Sequence, residues 1–86
     1  MYRVELTPAA IRDLGRTPPR YATAVLEFVY GPLADNPRRV GKPLVQDFAG
    51  LHGARRGDYR VIYEILDDDT VLVHRVDHRA RAYRPR

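Results

Sequence analysis

The feature that most constrains this chain is a strand–turn–strand pattern in its second half. Residues 58–66 read DYRVIYEIL and are rich in Val, Ile and Tyr, the residue types that favour strands. Three consecutive aspartates, Asp67 to Asp69, follow as a turn, and residues 70–76 return as a second apolar strand. The sequence therefore predicts an antiparallel hairpin over residues 58–76, and the rest of the fold must be built around it.

Alternation along these strands predicts which side chains share a face. One face of the first strand carries Tyr59, Val61, Tyr63 and Ile65, and the other carries Arg60, Ile62, Glu64 and Leu66. On the return strand, the same rule sets Val71, Val73 and Arg75 against Leu72, His74 and Val76. Arg60 is unusual within an apolar stripe. It is either a cross-strand partner of Glu64 or a nearby aspartate, or an arginine presented to a phosphate on an open sheet face.

The first third of the chain predicts one strand and two helices. Residues 2–6 alternate polar and apolar, as a short strand does. Thr7 is a suitable N-cap with Pro8 at the first helical position, and Gly15 is expected to end that helix. A second helix is expected to start at Thr17-Pro18-Pro19 and to stop at Gly31-Pro32, so residues 8–30 form a helical hairpin.

Residues 31–43 contain many helix and strand breakers and predict a long basic loop, which in a compact domain tends to be functional or mobile. A strand is expected over residues 51–56, and the tail over residues 77–86 has little apolar content. The order is β–α–α–β–β–β. The expected fold class is α+β, with an N-terminal strand, a helical hairpin and a three-stranded antiparallel meander, helices on one sheet face and the other face partly open.

Length and composition exclude several classes of protein. The 86 residues suit one small domain over residues 1–86. The absence of cysteine excludes disulfide scaffolds, cysteine-based zinc sites and thiol catalysis. Charges within the first six residues leave no signal-peptide core, and no apolar run approaches the roughly 18 residues of a membrane helix. We expect a soluble cytoplasmic protein that does not act at a membrane.

The positive charge is concentrated in one half of the chain. The net charge is +4, from 15 Lys and Arg against 11 Asp and Glu, and the whole excess lies in residues 38–86. Lys42 is the single lysine, and all the other basic residues are arginines. This preference for arginine suits either bidentate recognition of phosphate or the codon bias of a high-GC genome. The asymmetry predicts a nucleic-acid partner. The expected RNA contacts outside the reacting centre are Arg38, Arg39, Lys42, Arg56, Arg81 and Arg84.

Familiar catalytic and metal-binding motifs do not occur. There is no Gly-rich phosphate loop, serine elbow or HExxH, and no small-molecule cofactor is implied. His52, His74 and His78 are scattered without carboxylates at ligand spacing, so no metal site is predicted. Any chemistry must come from Arg, His, Tyr and Lys side chains.

Three segments together resemble the RelE toxins, a branch of the RelE/ParE superfamily from bacterial type II toxin–antitoxin modules. They are Gly41-Lys42-Pro43-Leu44, the stretch from Leu51 through GDYRVIYEI to Ile65, and Val76-Asp77-His78-Arg79 followed by Tyr83-Arg84. The resemblance covers essentially the whole chain. It implies a metal-independent mRNA endoribonuclease that cuts codons in the ribosomal A site and so inhibits translation. In that reaction the 2′-OH attacks the adjacent phosphodiester.

Residue roles follow from the resemblance by position. Arg60 matches the arginine that stabilises the transition-state phosphate, and Arg79 matches the basic residue at the leaving group. Tyr83 matches a tyrosine that stacks on a base, and Arg55 matches a lysine that acts in proton abstraction. The best-known members carry a second lysine where this chain has Gly53.

Arginine is a poor general base, because its pKa lies above about 12. The sequence leaves His78, His52 and ribosomal RNA as alternative proton acceptors, and we predict His78, which neighbours Arg79 and has a reference pKa of about 6.5.

Two further functions fit the same superfamily. ParE toxins share the fold but inhibit DNA gyrase, and they generally lack the cluster of three arginines and a tyrosine found here. A degenerate toxin that only binds its antitoxin is the other alternative. In each case the expected partner is a cognate RelB-like antitoxin with an acidic or amphipathic segment that folds on binding. It could act by displacing the tail that carries Tyr83 or by neutralising the arginines.

Overall fold

A computed structural model describes residues 1–67 and 69–84, so the expected turn at Asp68 and the last two residues lie outside the described part. The strands are β1 (Arg3–Leu6), β2 (Gly41–Pro43), β3 (His52–Arg56), β4 (Tyr59–Leu66) and β5 (Thr70–His78). The helices are α1 (Pro8–Arg16), α2 (Pro19–Phe28) and α3 (Pro37–Val40). No helix within the described ranges has the length and apolar character needed to cross a membrane.

The five strands form one sheet in the order β1-β5-β4-β3-β2. The predicted hairpin is β4–β5, and β3 and β2 extend it by antiparallel pairing. β1 joins the other edge in parallel with β5, with Arg3 opposite Thr70 and Leu6 opposite Val73. The α+β class with a mostly antiparallel sheet is confirmed.

The core lies between the helices and one face of this sheet. Its sheet side is formed by buried side chains of β3, β4 and β5, namely Ala54, Val61, Tyr63, Val71, Val73 and Val76. Its helical side is formed by Ala10, Val25, Val29 and Leu33. Burial of each Val or Leu stabilises the fold by about 1.5–3 kcal/mol relative to exposure. We call this side of the sheet the helical face and the other the tail face.

The start of the first helix is as expected, but its end is not. The Thr7 hydroxyl accepts a hydrogen bond from the Ala10 N–H at 3.1 Å, as an N-cap does. Gly15 does not end α1, which continues to Arg16. Thr17 does not cap the second helix, because its hydroxyl donates to the backbone oxygen of Asp13 at 2.8 Å.

The prediction that Gly31-Pro32 stops the second helix was wrong. The chain stays helical through a π-type turn over Val29–Leu33. A proline lacks an N–H and so cannot make the ordinary helical bond, and a wider turn accommodates it. The continuation is stabilised by packing, since Val29 and Leu33 have 1% and 0% of their surfaces exposed.

The expected loop over residues 31–43 was also wrong in its second half, where α3 and β2 form. Pro37 starts α3 in the position that tolerates proline best. Its backbone oxygen accepts a hydrogen bond from the buried Tyr63 hydroxyl at 2.5 Å. Gly41 then pairs with Ala54 at the outer edge of the sheet.

A bulge in β5 overturns the strict alternation predicted for that strand. Ile62 lies opposite Arg75 and Tyr63 lies opposite Val73, so His74 is an extra residue that has no residue directly opposite it on β4. Val73 and Val76 therefore both enter the core, whereas Arg75 lies on the tail face beside Ile62.

The tail face is less open than the sequence suggested, because the segment after β5 folds back over its centre. β5 runs two residues beyond the expected end, to His78, and Ala82 has no exposed surface. The Arg75 guanidinium donates through Nη1 to the backbone oxygens of Ala82 at 2.7 Å and Arg84 at 2.6 Å. Ile62, directly opposite Arg75, is 1% exposed.

Candidate active site

Two arginines stand side by side on the tail face. Arg55 of β3 lies directly opposite Arg60 of β4, and Arg60 lies directly opposite Asp77 of β5. Like charges in directly opposite positions destabilise a sheet. One carboxylate beside two guanidiniums leaves an excess of positive charge, which suits an anionic ligand such as a phosphodiester.

The Arg60 side chain is anchored at the β3–β4 turn. Its Nη1 donates to the backbone oxygens of Gly57 at 3.0 Å and Tyr59 at 3.2 Å. The alternative that Arg60 pairs with Glu64 is not what the structure shows. A Glu64 carboxylate oxygen lies 3.0 Å from His74 Nε2 instead.

Arg79 and Arg81 follow at the same end of the sheet. The Arg79 N–H donates to the Asp58 backbone oxygen at 2.7 Å, and its Nε lies 3.8 Å from an Asp58 carboxylate oxygen, with both side chains largely exposed. Arg81 Nε lies 3.3 Å from an Asp77 carboxylate oxygen. The Arg79 pair is exposed on both sides, and such a pair contributes at most about 1 kcal/mol, so Arg79 can exchange its partner for a phosphate. In the Arg81 pair the arginine is exposed, whereas the Asp77 side chain is only 20% exposed.

Tyr83 lies across β3 where Gly53 leaves room. A Cβ built on Gly53 would stand 2.8 Å from the Tyr83 hydroxyl oxygen. Lys42 is the β2 neighbour of Gly53, and a groove of about 440 Å³ is lined by Lys42, Arg55 and Tyr83 among others. Tyr83 thus shares a groove with Arg55, one of the two opposed arginines, and 43% of the tyrosine is exposed.

His78 lies on the opposite face of the sheet from Arg55 and Arg60. It lies opposite Tyr59, whose ring packs on Tyr21 of α2, so it faces the helical side of the sheet. Its ring stands edge-on to Tyr59 with centroids 5.7 Å apart. The Nδ1 atom accepts a hydrogen bond from the Ala80 N–H at 3.2 Å.

His52 also lies on the helical face. Its ring stacks on Tyr63 with centroids 5.7 Å apart, and its Nδ1 is buried without a hydrogen-bond partner. Burial, and secondly the charge of Arg38, lower the pKa of His52 below its usual range. Burial also raises the pKa of Tyr63 to about 12. His52 is therefore held neutral in a structural environment.

The expected RNA-contacting residues do not share one surface. Lys42 lies on the tail face, and Arg81 and Arg84 belong to the tail itself. Arg56 lies opposite Tyr59 and faces the other way, beside α2. Arg38 and Arg39 are exposed on α3.

Sequence reasoning missed two residues that shape this face. Arg75 holds the tail, and its guanidinium carbon also lies 5.4 Å from the centre of the Phe48 ring. Phe48 contacts Tyr83 edge-on, with centroids 6.2 Å apart. The available signal was an arginine within the apolar run of β5. Among the residues that the structure describes, no three His, Asp or Glu side chains come together as metal ligands would.

Comparison with curated proteins finds close relatives over nearly the full chain. Toxin RelE of Mycobacterium tuberculosis is 51% identical over 96% of this chain and 87% of the relative. Toxin RelG of the same organism is 52% identical over 96% of this chain and 97% of the relative.

Comparison with solved structures also finds toxins of this kind. The toxin of the RelBE2 toxin–antitoxin complex from Mycobacterium tuberculosis matches with a TM-score of 0.86 and 51% identity, over 90% of this chain and 96% of that one. The isolated Escherichia coli RelE toxin matches with a TM-score of 0.74 and 16% identity, over 99% and 88% of the two chains, which shows a shared fold. A family model described as ParE toxin of type II toxin-antitoxin system, parDE, matches residues 4–83. With a family match over that range and relatives above half identity, the chain belongs to the RelE/ParE family of type II toxins.

Proposed function

We propose that this toxin is a ribosome-dependent mRNA endoribonuclease that cuts within the A site. The observation that carries the proposal is the direct opposition of Arg55 and Arg60 on the tail face, with Tyr83 in the same groove as Arg55. Two guanidiniums at neighbouring sheet positions suit the phosphorane-like transition state of phosphodiester cleavage, where negative charge builds on the non-bridging oxygens. A tyrosine ring in that groove suits a stacked base, a contact worth about 1–3 kcal/mol.

The reaction is an intramolecular transfer. The ribose 2′-oxygen forms a bond to the adjacent phosphorus and loses its proton, the bond from phosphorus to the 5′-oxygen breaks, and that oxygen gains a proton. The products are a 2′,3′-cyclic phosphate and a free 5′-OH. Arg55 and Arg60 stabilise the phosphate, Arg79 stabilises the charge on the leaving oxygen, and Tyr83 holds the base so that the 2′-oxygen is in line.

The proton acceptor is proposed to come from outside this chain. Arginine is a poor general base, which argues against Arg55, and His78 and His52 both face the helical side. Ribosomal RNA at the A site is the remaining candidate. A toxin that lacks its own general base would cut RNA only on the ribosome. It would therefore act in the cytoplasm.

The test is primer extension on a reporter mRNA in a translating extract. We expect codon-phased cuts with the wild-type toxin, and at least about 100-fold slower cutting with Arg60→Ala, the loss typical of removing one preorganised donor. Arg12→Ala, which removes an equal charge from the exposed side of α1, is the matched control and should cut normally. Equal cutting by the Arg60→Ala and wild-type proteins would contradict the proposal.

The competing function is inhibition of DNA gyrase, which the ParE description of the family keeps as a second candidate. Intact mRNA together with inhibited supercoiling in a purified gyrase assay would favour it. Intact mRNA and normal supercoiling would instead indicate a toxin that has kept only antitoxin binding.

A cognate RelB-like antitoxin is the proposed partner. The related Mycobacterium tuberculosis toxin and Escherichia coli RelE were both solved in toxin–antitoxin complexes. On this chain, exposed apolar residues of the helical layer, Ile11, Tyr21 and Tyr30, together with the excess of arginine, suit an amphipathic acidic segment. Protection from growth arrest by co-expression of that antitoxin would support the pairing.

A further inference from the structure

A single guanidinium bonds to the backbone on both sides of Tyr83. The Nη1 atom of Arg75 donates to the backbone oxygen of Ala82 at 2.7 Å and to that of Arg84 at 2.6 Å. Ala82 and Arg84 are the chain neighbours of Tyr83, so the two oxygens flank the tyrosine directly. A hydrogen bond from a charged donor is roughly twice as strong as a neutral one. Arg75 therefore fixes the stretch of backbone that carries the Tyr83 ring.

The rest of the tail contributes little to its own position. Within residues 79–84, Ala82 is buried and the other residues are exposed. An alanine methyl removes little apolar area from water, so its burial stabilises the tail only weakly. The N–H groups of Arg81 and Ala82 donate to the His78 backbone oxygen at 2.8 and 3.0 Å, which keeps the start of the tail close to the end of β5. Further along, the tail backbone is attached to the sheet through the two bonds from Arg75.

The same guanidinium also contacts the loop between β2 and β3. Its central carbon lies 5.4 Å from the centre of the Phe48 ring, within the range of a cation–π interaction. Phe48 ends the short 3-10 turn Gln46–Phe48 and meets the Tyr83 ring edge-on, with centroids 6.2 Å apart. Arg75 therefore sets the position of both rings of this aromatic pair, one through the backbone and the other through its face.

Arg75 lies apart from the opposed arginines of the candidate active site. Arg55 and Arg60 lie opposite each other, whereas Arg75 lies opposite Ile62, two positions along β4 from Arg60. Ile62 is 1% exposed, so this part of the sheet is covered. The position suits a residue that holds the tail. Direct binding of phosphate by Arg75 is the alternative that a test has to separate from it.

We propose that Arg75 is a positioning residue of the cutting reaction, which holds the tail so that the Tyr83 ring stays across β3 and against Phe48. The proposal rests on the proposed RNA-cutting function, to which it adds a residue that touches neither the RNA nor the reacting atoms. A ring that orients a nucleotide for in-line attack must be held precisely, because a misplacement of about 1 Å can slow a reaction about 100-fold.

The first test uses the full chain without RNA, by ¹⁵N relaxation. Arg75→Met keeps an apolar stem but removes the donors, and we expect order parameters of residues 81–84 to fall below about 0.6, while those of β4 stay near 0.85. The Gly53 amide should shift as it does in Tyr83→Ala, because the ring has left it. Arg75→Lys, which keeps a charged donor, should retain most of the order, and Arg12→Met on the exposed side of α1 is the matched control. If Arg75→Met does not fold, Arg75→Gln, whose shorter side chain loses the charge, takes its place.

The second test measures single-turnover cutting of an mRNA on ribosomes. Arg75→Met should lower the maximal rate at least about tenfold, within the range expected from the loss of one stacking contact. The toxin concentration that gives half the maximal rate should stay nearly unchanged, since Arg75 touches no RNA. Arg75→Lys should recover most of the rate. In a Tyr83→Ala background, Arg75→Met should have no further effect, because no ring is left to position.

Two kinds of result would overturn the proposal. One is a tail that stays rigid in Arg75→Met, which would exclude Arg75 as the residue that holds it. The other is a rate loss that persists undiminished in the Tyr83→Ala background, or a raised half-maximal toxin concentration, either of which would assign Arg75 to direct contact with RNA. Intact mRNA with the wild-type toxin would reject the nuclease function instead, and the relaxation measurement would still decide whether Arg75 holds the tail.

Discussion

Gly53 and Gly41 are neighbouring glycines whose missing side chains make room for two different tyrosines. At Gly53 the nearest atom to an added Cβ is the hydroxyl of Tyr83, at the end of an exposed and movable side chain. At Gly41 the added Cβ would collide with the buried Tyr63 hydroxyl and approach the backbone oxygen of Gly53 at 2.9 Å. Gly53 therefore makes room for a side chain of the candidate active site, and Gly41 makes room for a side chain of the core.

The pair gives a prediction for Gly53→Ala. We expect it to displace the Tyr83 ring and slow RNA cutting severalfold, while the free energy of unfolding changes by less than about 1 kcal/mol. Gly41→Ala should instead destabilise the protein by about 1–3 kcal/mol, as overpacking of a core does. Urea denaturation and the primer-extension assay measure the two effects. A Gly53→Ala protein with full activity would show that the ring position above the sheet is unimportant.

Gly53 also shows which kind of single-residue contact could not be predicted from the sequence. The sequence identified it as a departure from the lysine of better-known relatives. The reason for a glycine, its close approach to Tyr83, could not be predicted from the sequence. The two residues are 30 positions apart, and the tail that carries Tyr83 buries one small residue, Ala82, which gives little sequence signal for its position. The catalytic roles of Arg60 and Tyr83 remain predictions. The structure adds the residues next to them, Arg55 beside Arg60 and Gly53 beside Tyr83, as further positions to mutate.

At the scale of elements, β5 depends on α1 for the shape of its bulge. The Thr7 hydroxyl donates to the backbone oxygen of His74 at 3.2 Å, and an Asp13 carboxylate oxygen accepts from the Val76 N–H at 3.0 Å. β1 pairs only as far as Val73, so these two side chains satisfy the outer edge of β5 beyond that point. The bulge is thus fixed by side chains from another element.

Asp13→Ala should destabilise the fold by about 2–3 kcal/mol. The carboxylate is buried, and its removal leaves the Val76 N–H without its acceptor. Arg16→Ala is the matched variant, since Arg16 pairs with the same carboxylate at 2.8 Å but is 71% exposed, and it should cost less than about 1 kcal/mol. Equal losses in chemical denaturation would show that the ion pair, and not the backbone contact, is what Asp13 provides.

The same bulge explains why His78, the predicted base, lies on the helical face. Strict alternation gives His78 the parity of Leu72, and Leu72 lies opposite Glu64 on the tail face. One extra residue at His74 reverses that parity, and His78 then faces Tyr59. Strand positions and the hairpin were predictable from alternation and residue type. A one-residue bulge was not, because it depends on the Thr7 and Asp13 contacts.

At the scale of the molecule, the two sheet faces have different tasks. The helical face holds the buried valines, Tyr63 and a neutral His52, and the tail face holds the paired arginines and Tyr83. The α+β class and the order of elements outside residues 31–43 could be predicted because they depend on local patterns. The tail fold could not, since it depends on the guanidinium of Arg75 and on little apolar burial of its own.

Global stability should decrease in mild acid because of His52. Its pKa is lowered in the fold, chiefly by burial, so the unfolded chain binds a proton first as the pH falls below about 6.5. Stability is then lost at up to about 1.4 kcal/mol per pH unit, until the folded-state pKa is passed. His52→Phe keeps a ring against Tyr63 and removes the titration. Urea midpoints at pH 7.5 and 5.5 should differ less in this variant, and an equal difference would assign the effect to another group.

The parallel pairing of β1 with β5 has a consequence for synthesis. Arg3 and Thr70 are ladder partners separated by most of the chain, so this sheet has a high contact order at its edge. A growing chain cannot close the ladder or bury Val71 and Val73 against α1 until those last residues have left the ribosome. We therefore expect the parallel edge of the sheet to form only after residues 70–78 have emerged from the ribosome.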